Sequence, residues 1–153
     1  MKKLNVVFFA VILFLSVFAS CENEKNIEST VIYSNTEYGF EVTMPASWER
    51  YSIIEDTWTG ADIHNRQTSI SGLQLSIRHP LWSEEEPQLD IPIMIITLSE
   101  WEKVGFWAGA TAMEYDRNSK YVFAMPPRYY YHAGWEDISD IINNGIRANE
   151  NIK

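Results

Sequence analysis

The sequence predicts an α+β fold, in which an antiparallel sheet is flanked by helices. Several short segments alternate apolar and polar residues, which is the pattern of strands with one buried face. No regular crossover helix separates one of these segments from the next, and this disfavours a doubly wound parallel sheet. Two other segments, one in the middle of the chain and one near its end, carry helix signals.

The first two strands are predicted at residues 31–33 and 39–44. In the second, every other residue is apolar, and a proline follows the last one. Proline cannot donate to a strand ladder, so it ends the strand. The polar residues 35–37 form the predicted turn between the two strands.

The next part of the chain is predicted to contain three strands and a loop. A strand covers residues 51–54, with Trp58 as its furthest end, and the polar stretch 59–68 is a long loop. Alternating residues at 73–77 predict another strand. The run 91–98 is apolar on both faces, which is typical of a central strand covered on both sides.

A helix is predicted next, followed by strands. Ser99 and Glu102 have the spacing of a capping box, and the helix is expected to end near Trp107. Strands are then predicted at residues 121–125 and 129–131. A last helix has its apolar residues on one face and ends at Gly145; that face consists of Trp135, Ile138, Ile141 and Ile142.

The first 20 residues have the features of a secretory signal peptide. Two lysines precede an apolar run at residues 6–18, which is too short for a comfortable membrane-spanning helix, and small residues follow it. The segment 17–21 resembles a bacterial lipobox, whose cysteine becomes the first mature residue and carries a lipid. The prediction is a signal peptide at 1–20, a lipid on Cys21 with a tether at 21–30, and a single domain at 31–153; an uncleaved anchor is the alternative.

Charge and cysteine content narrow the function classes. Cys21 is the only cysteine, so the chain has no internal disulfide and, once lipidated, no thiol for metal binding. The net charge of −9 becomes −11 (10 − 21) when the two signal-peptide lysines are removed. Such a chain repels nucleic acid and anionic lipid. The membrane is therefore reached through the lipid, outside the cytoplasm, and no nucleic-acid partner is expected.

The segment from Tyr33 to Trp48 resembles the opening of PsbP-like domains, with the pattern Y-x-N-x-x-Y-G-F-x-x-x-x-P-x-x-W. The segments 77–82, 90–94 and 117–124 also resemble a group of uncharacterised bacterial lipoproteins with the same opening. The resemblance implies an antiparallel sheet between helices, an α/β/α sandwich. It implies little about function, because PsbP-like domains mostly serve as accessory or assembly proteins and fold analogy alone does not establish a role.

Arg78, His79 and Asp90 form the first candidate site. The strand at 73–77 places Arg78 on the face opposite the core and His79 on the core side. Together with Asp90 they form an anion-binding or acid–base group if the loop brings them together. The alternative is structural: Arg78 pairs with an acid, and His79 makes hydrogen bonds at the strand end.

Aromatic residues form the second candidate, a surface for a ligand or a partner protein. Trp48, Trp82 and Tyr121 are placed on it, beside Arg78, because tryptophan and tyrosine favour half-buried binding positions. The same aromatic group also includes Tyr51, Trp101, Trp107 and Tyr131, and the alternative is an aromatic-rich core. The partner-protein hypothesis predicts an exposed apolar patch near the tryptophans. The small-ligand hypothesis predicts an enclosed pocket with a few polar groups.

No catalytic motif, metal site or cofactor is predicted. The sequence contains neither a Gly-x-Ser-x-Gly elbow nor a phosphate-binding glycine loop. The three histidines, His64, His79 and His132, lack the spacing of a metal site. The expected function is therefore a non-enzymatic binding or assembly-accessory domain at the cell envelope, with a small-molecule-binding lipoprotein and an enzyme using His79 as alternatives.

Overall fold

A computed structural model describes residues 29–85, 90–106, 109–129 and 136–150. Two antiparallel sheets and a few short helices make up this part of the chain, so the α+β prediction holds at that level. The strands are β1 (Thr30–Asn35), β2 (Phe40–Pro45), β3 (Ser52–Asp62), β4 (Ser69–Arg78), β5 (Asp90–Thr97), β6 (Val104–Gly105), β7 (Met113–Arg117), β8 (Tyr121–Met125) and β9 (Ile146–Ala148). Among the described residues, no helix has the length and apolar character needed to span a membrane.

The smaller sheet has the strand order β1-β2-β9. The predicted alternation in β2 is confirmed, because Phe40, Val42 and Met44 are buried while the residues between them are exposed. The predicted turn is also present: the Asn35 side-chain oxygen accepts hydrogen bonds from two backbone N–H groups of the turn. Gly39 ends the turn with a positive φ of 76°, which glycine adopts without steric cost.

The larger sheet has the order β6-β3-β4-β5-β8-β7. β5 lies inside it and is buried on both faces, as predicted. One face packs against the smaller sheet and the C-terminal helical segment in a core that includes Leu75, Ile93 and Phe123. The opposite face carries a second apolar cluster around Trp58 and Ile96. The groove described below lies beside this second cluster.

The first helix differs from the prediction. It covers Leu98–Trp101 (α1), and Thr97 rather than Ser99 is its N-cap, in a capping box with Glu100. The chain then pairs with β3 as the short strand β6, so the helix does not reach Trp107. Hydrogen bonds between β6 and β3 thus take the place of the helical hydrogen bonds that local propensity favours.

The last helix begins as α2 (Glu136–Asp140) and continues as a π-helical turn, Ile141–Gly145. The predicted end at Gly145 is confirmed, and Ile138, Ile141 and Ile142 are buried. Gly145 is needed there because a Cβ atom would lie 2.5 Å from the Thr43 carbonyl oxygen. Trp135 lies outside the described residues.

The predicted loop at residues 59–68 was wrong in its first part. β3 extends to Asp62, so residues 59–62 belong to a strand instead of the predicted loop. They pair with β4, and this pairing outweighs the poor strand propensity of the local sequence. Tyr129 lies outside any described strand, and residues 130–131 lie outside the described residues, so the strand at 129–131 stays a prediction. β7 and β9 were not predicted.

Candidate functional site

Arg78 and Asp90 form an ion pair across neighbouring strands. They stand opposite each other in the β4–β5 ladder, and the guanidinium donates to both carboxylate oxygens, with the shortest distance 2.6 Å. The carboxylate raises the pKa of Arg78 through these hydrogen bonds. The Arg78 guanidinium carbon also lies 3.8 Å from the centroid of a Trp82 ring. The positive charge of Arg78 is therefore paired with a carboxylate, which is the arrangement that the structural alternative predicted.

His79 lies on the other side of the sheet, against Trp48. The two rings meet edge to face with centroids 4.6 Å apart, and both side chains are buried. The His79 Nδ1 atom accepts a hydrogen bond from the Leu81 backbone N–H at 3.0 Å. The structure thus brings Arg78 and Asp90 together but directs His79 into the core. Trp48, 1% exposed, contributes to that core and not to a surface.

His79 makes the fold sensitive to mild acid. Burial lowers the pKa of His79, and the nearby Asp137 only partly opposes that effect. The unfolded chain therefore takes up a proton on this ring at a higher pH than the folded chain, and stability falls with pH below about 6.5. We expect urea unfolding to show a smaller loss between about pH 7 and pH 5.5 in His79→Asn, whose side-chain oxygen replaces the Nδ1 acceptor, than in the wild type. Parallel pH profiles of the two proteins would contradict this.

Tyr121 lies at a corner of the fold away from the Arg78 pair. Its ring meets Tyr38 edge to face, with centroids 5.4 Å apart, and it packs on the first core. Cys21 and His132 lie outside the described residues. Within the described part of the chain, no three His, Cys, Asp or Glu side chains cluster in a way that could hold a metal ion.

A groove of about 1000 Å³ lies at the far end of β3. Its walls come from four separated parts of the chain: residues 59–63 with Arg66, Trp101, residues 104–106 and residues 109–112. Most of the wall is apolar, and Trp101, Val104, Phe106 and Ala112 also pack on the second apolar cluster. The groove is therefore an open extension of that cluster toward solvent.

Two glycines allow the groove walls to approach each other. A Cβ atom on Gly60 would lie 2.6 Å from the Val104 side chain and 2.9 Å from the Gly105 carbonyl oxygen. A Cβ atom on Gly105 would lie 2.6 Å from Ile63. Because both strands lack side chains at these points, β6 can pair closely with β3 and hold Phe106 in the wall.

Asp62 and Arg66 are the charged residues of the groove. The Asp62 carboxylate accepts hydrogen bonds from the backbone N–H groups of His64 at 2.8 Å and Asn65 at 3.3 Å. These bonds lower the pKa of Asp62 and hold the turn after β3. Arg66 is exposed, and no described residue forms an ion pair or hydrogen bond with its guanidinium. The groove therefore combines an apolar wall with an available positive charge.

Sequence patterns identified little of this groove. Trp101 was among the aromatic residues that favour a binding position, but Asp62, Arg66 and Phe106 were missed. Asp62 and Arg66 fell in the predicted loop 59–68, and Phe106 fell in the predicted helix. Two glycines, Gly60 and Gly105, were the available signal, because an isolated glycine in a strand marks a close approach.

An exposed apolar surface for a partner protein stays a prediction. Leu81, next to Trp82, is 67% exposed, and Ile63 in the groove is 51% exposed. Ile32 and Met113 are the other large apolar side chains exposed in the described part of the chain. Single exposed apolar residues are common on soluble domains, so they do not by themselves define an interface.

Searches against protein-family models, curated proteins and solved structures found no match to this chain. The geometry of the groove and of the Arg78 pair therefore provides the basis for a functional proposal.

Proposed function

We propose that this chain is a non-enzymatic ligand-binding protein, held outside the cytoplasm at a membrane by lipid on Cys21. The observation that carries the proposal is the groove beside β3, with a volume of about 1000 Å³. Sites for small molecules typically have volumes of about 300–1000 Å³ and mainly apolar walls with a few polar groups. This combination favours the small-ligand hypothesis over the enzyme, because Arg78 and Asp90 pair with each other while His79 is buried against Trp48.

The walls of the groove are suited to an apolar ligand. Trp101 and Phe106 present aromatic surface, and backbone pairing holds together the strands β3 and β6 that also line the groove. Burial of apolar surface contributes about 25 cal/mol per Å². A ligand that covered about 200 Å² of such a wall would gain roughly 5 kcal/mol before the cost of association is subtracted. Even before that cost, 5 kcal/mol corresponds to a dissociation constant of about 0.2 mM, so we expect binding in the millimolar range.

Blocking the groove should remove binding. We expect Ala110→Phe to weaken binding of a bromine-bearing long-chain alcohol at least tenfold, because the added ring occupies the groove. Bromine quenches tryptophan fluorescence on contact, so Trp101 reports binding directly and Trp101→Phe reduces the signal. The matched control is Ala46→Phe, because Ala46 is exposed in the turn after β2 and far along the chain from the groove.

Either of two results would contradict the ligand proposal. One is absence of saturable quenching in the wild type, and the other is equal binding by the Ala110 and Ala46 variants. If, in addition, Leu81→Glu abolished association with an envelope protein, the assembly-accessory hypothesis would replace the small-ligand proposal.

The membrane attachment is tested separately. Cys21→Ala is expected to release the protein from the membrane fraction or to leave its precursor unprocessed, because the chain then has no site for the lipid. Fractionation and immunoblotting of cells measure both results. The acidic surface gives little attraction of its own to anionic lipid. Normal processing with unchanged membrane retention would contradict the proposed anchor.

We also propose that the domain is of the PsbP-like type. The turn between β1 and β2 supports this proposal, because Asn35 and Gly39, two residues of the motif, cap the turn and supply its positive φ. Trp48, the last residue of the motif, is buried in the first core. The assembly role of such domains is not needed for the ligand proposal.

A further inference from the structure

We propose that the ligand of the groove is an amphipathic carboxylate, a single apolar chain whose anionic head is held by Arg66. This inference rests on the proposed ligand-binding function and specifies the chemistry of its ligand. The apolar chain would lie along Trp101 and Phe106, and the head would lie at the solvent side of the groove.

The first argument concerns Arg66. It lines the groove and is exposed, and no described residue engages its guanidinium. Arg78 and Arg117, by contrast, each make a paired contact with a carboxylate. A guanidinium presents a fork of N–H donors that matches a carboxylate, and this match makes charge-assisted hydrogen bonds strong.

The second argument concerns Asp62, the acidic residue in the lining of the groove. The Asp62 carboxylate is directed to the backbone N–H groups of His64 and Asn65. Lys103 also acts electrostatically on Asp62, so a second basic side chain lies near this carboxylate. The carboxylate of the groove is thus held by its own turn, and the Arg66 guanidinium is the charged group of the groove that a ligand can engage.

The third argument concerns the shape of the ligand. The apolar wall runs from Val104 and Phe106 to Ala112 and continues into the second apolar cluster. A wholly apolar ligand would leave the guanidinium without a partner, and a small anion would leave the wall exposed to water. A chain with one anionic end satisfies both parts of the groove.

The test compares a bromine-bearing long-chain fatty acid with the alcohol of the same chain length, both read by tryptophan quenching in the lipid-free mature domain. The acid is expected to bind the wild type about tenfold more tightly than the alcohol. Arg66→Gln should remove most of that difference by weakening acid binding, while Arg66→Lys should keep part of it. Arg50→Gln is the matched control, because Arg50 is exposed and does not line the groove.

The outcomes separate the two proposals. If acid and alcohol bind equally well, and Ala110→Phe weakens both, the groove is a ligand site but the carboxylate inference is overturned. If Arg50→Gln weakens acid binding as much as Arg66→Gln, the preference comes from general charge, and the role of Arg66 is overturned. If neither probe binds, both the inference and the proposed function fail.

Discussion

Asn118→Asp is expected to lower the free energy of unfolding by about 4 kcal/mol, a large part of the 5–15 kcal/mol typical of a folded domain. Asn118 is 6% exposed and sits in the turn between β7 and β8. Its amide nitrogen donates to the carbonyl oxygens of Tyr38 at 2.8 Å, Gly39 at 3.0 Å and Asn149 at 3.3 Å.

The other end of the same side chain organises its own turn. The Asn118 Oδ1 atom accepts from the backbone N–H groups of Lys120 at 2.9 Å and Tyr121 at 2.8 Å. One buried amide therefore connects the larger sheet with the β1–β2 turn and with the end of β9. A carboxylate would keep the two accepted bonds but would place a negative charge against three carbonyl oxygens.

Urea unfolding followed by tryptophan fluorescence measures this effect. Asn144→Asp is the control, because it adds the same charge at an exposed position with no described side-chain hydrogen bond. Asn118→Ala should also destabilise, since it removes all five hydrogen bonds. Equal stability of the Asn118→Asp and Asn144→Asp proteins would show that the amide does not hold the two sheets together.

The sequence predicted elements whose pattern is local. The alternation in β2 indicates a half-buried strand, and the apolar run of β5 indicates a fully buried one. Both strands were predicted correctly. Residues 59–62 carry no comparable pattern, and they form a strand only because β4 pairs with them. The short helix α1 shows the reverse, because pairing of β6 with β3 ends a helix that local signals extended.

The two candidate sites differ in the same way. Arg78 and Asp90 are each attached to a strand whose position was predicted, so their pairing was among the expected alternatives. The groove is built from four segments that meet only after β3 and β6 pair, and the turn that presents Arg66 depends on Asp62. Such a site is determined by tertiary pairing, and no single segment carries its pattern.

The second large effect is expected from Gly72→Ala, which should lower the free energy of unfolding by about 3 kcal/mol. This loss is expected even though alanine by itself favours a strand at least as much as glycine does. Gly72 stands opposite Trp58 in the β3–β4 ladder. A Cβ atom there would lie 2.8 Å from the Trp58 Nε1 atom and 2.9 Å from two carbons of the indole.

The indole has little freedom to move away. Trp58 is 4% exposed, and its Nε1 atom donates to the Ile95 carbonyl oxygen at 2.9 Å, across β4. The described β4–β5 ladder ends at the pair Gln74 and Met94. The indole therefore donates to the carbonyl of Ile95, the next residue of β5 beyond that pair. Displacing the ring would leave a buried donor and acceptor unpaired, which costs more than the packing strain alone.

A double-mutant cycle in urea tests the cause of the effect. Trp58→Phe removes the Nε1 atom and reduces the ring, so Gly72→Ala should cost much less in that background than in the wild type. Ser71→Ala is the control on the same strand, because Ser71 is exposed.

Trp58 also packs on Phe106, with ring centroids 6.4 Å apart, so Gly72→Ala should weaken probe binding in the groove as well. Additive free energies in the cycle would show that the glycine is not required by the indole.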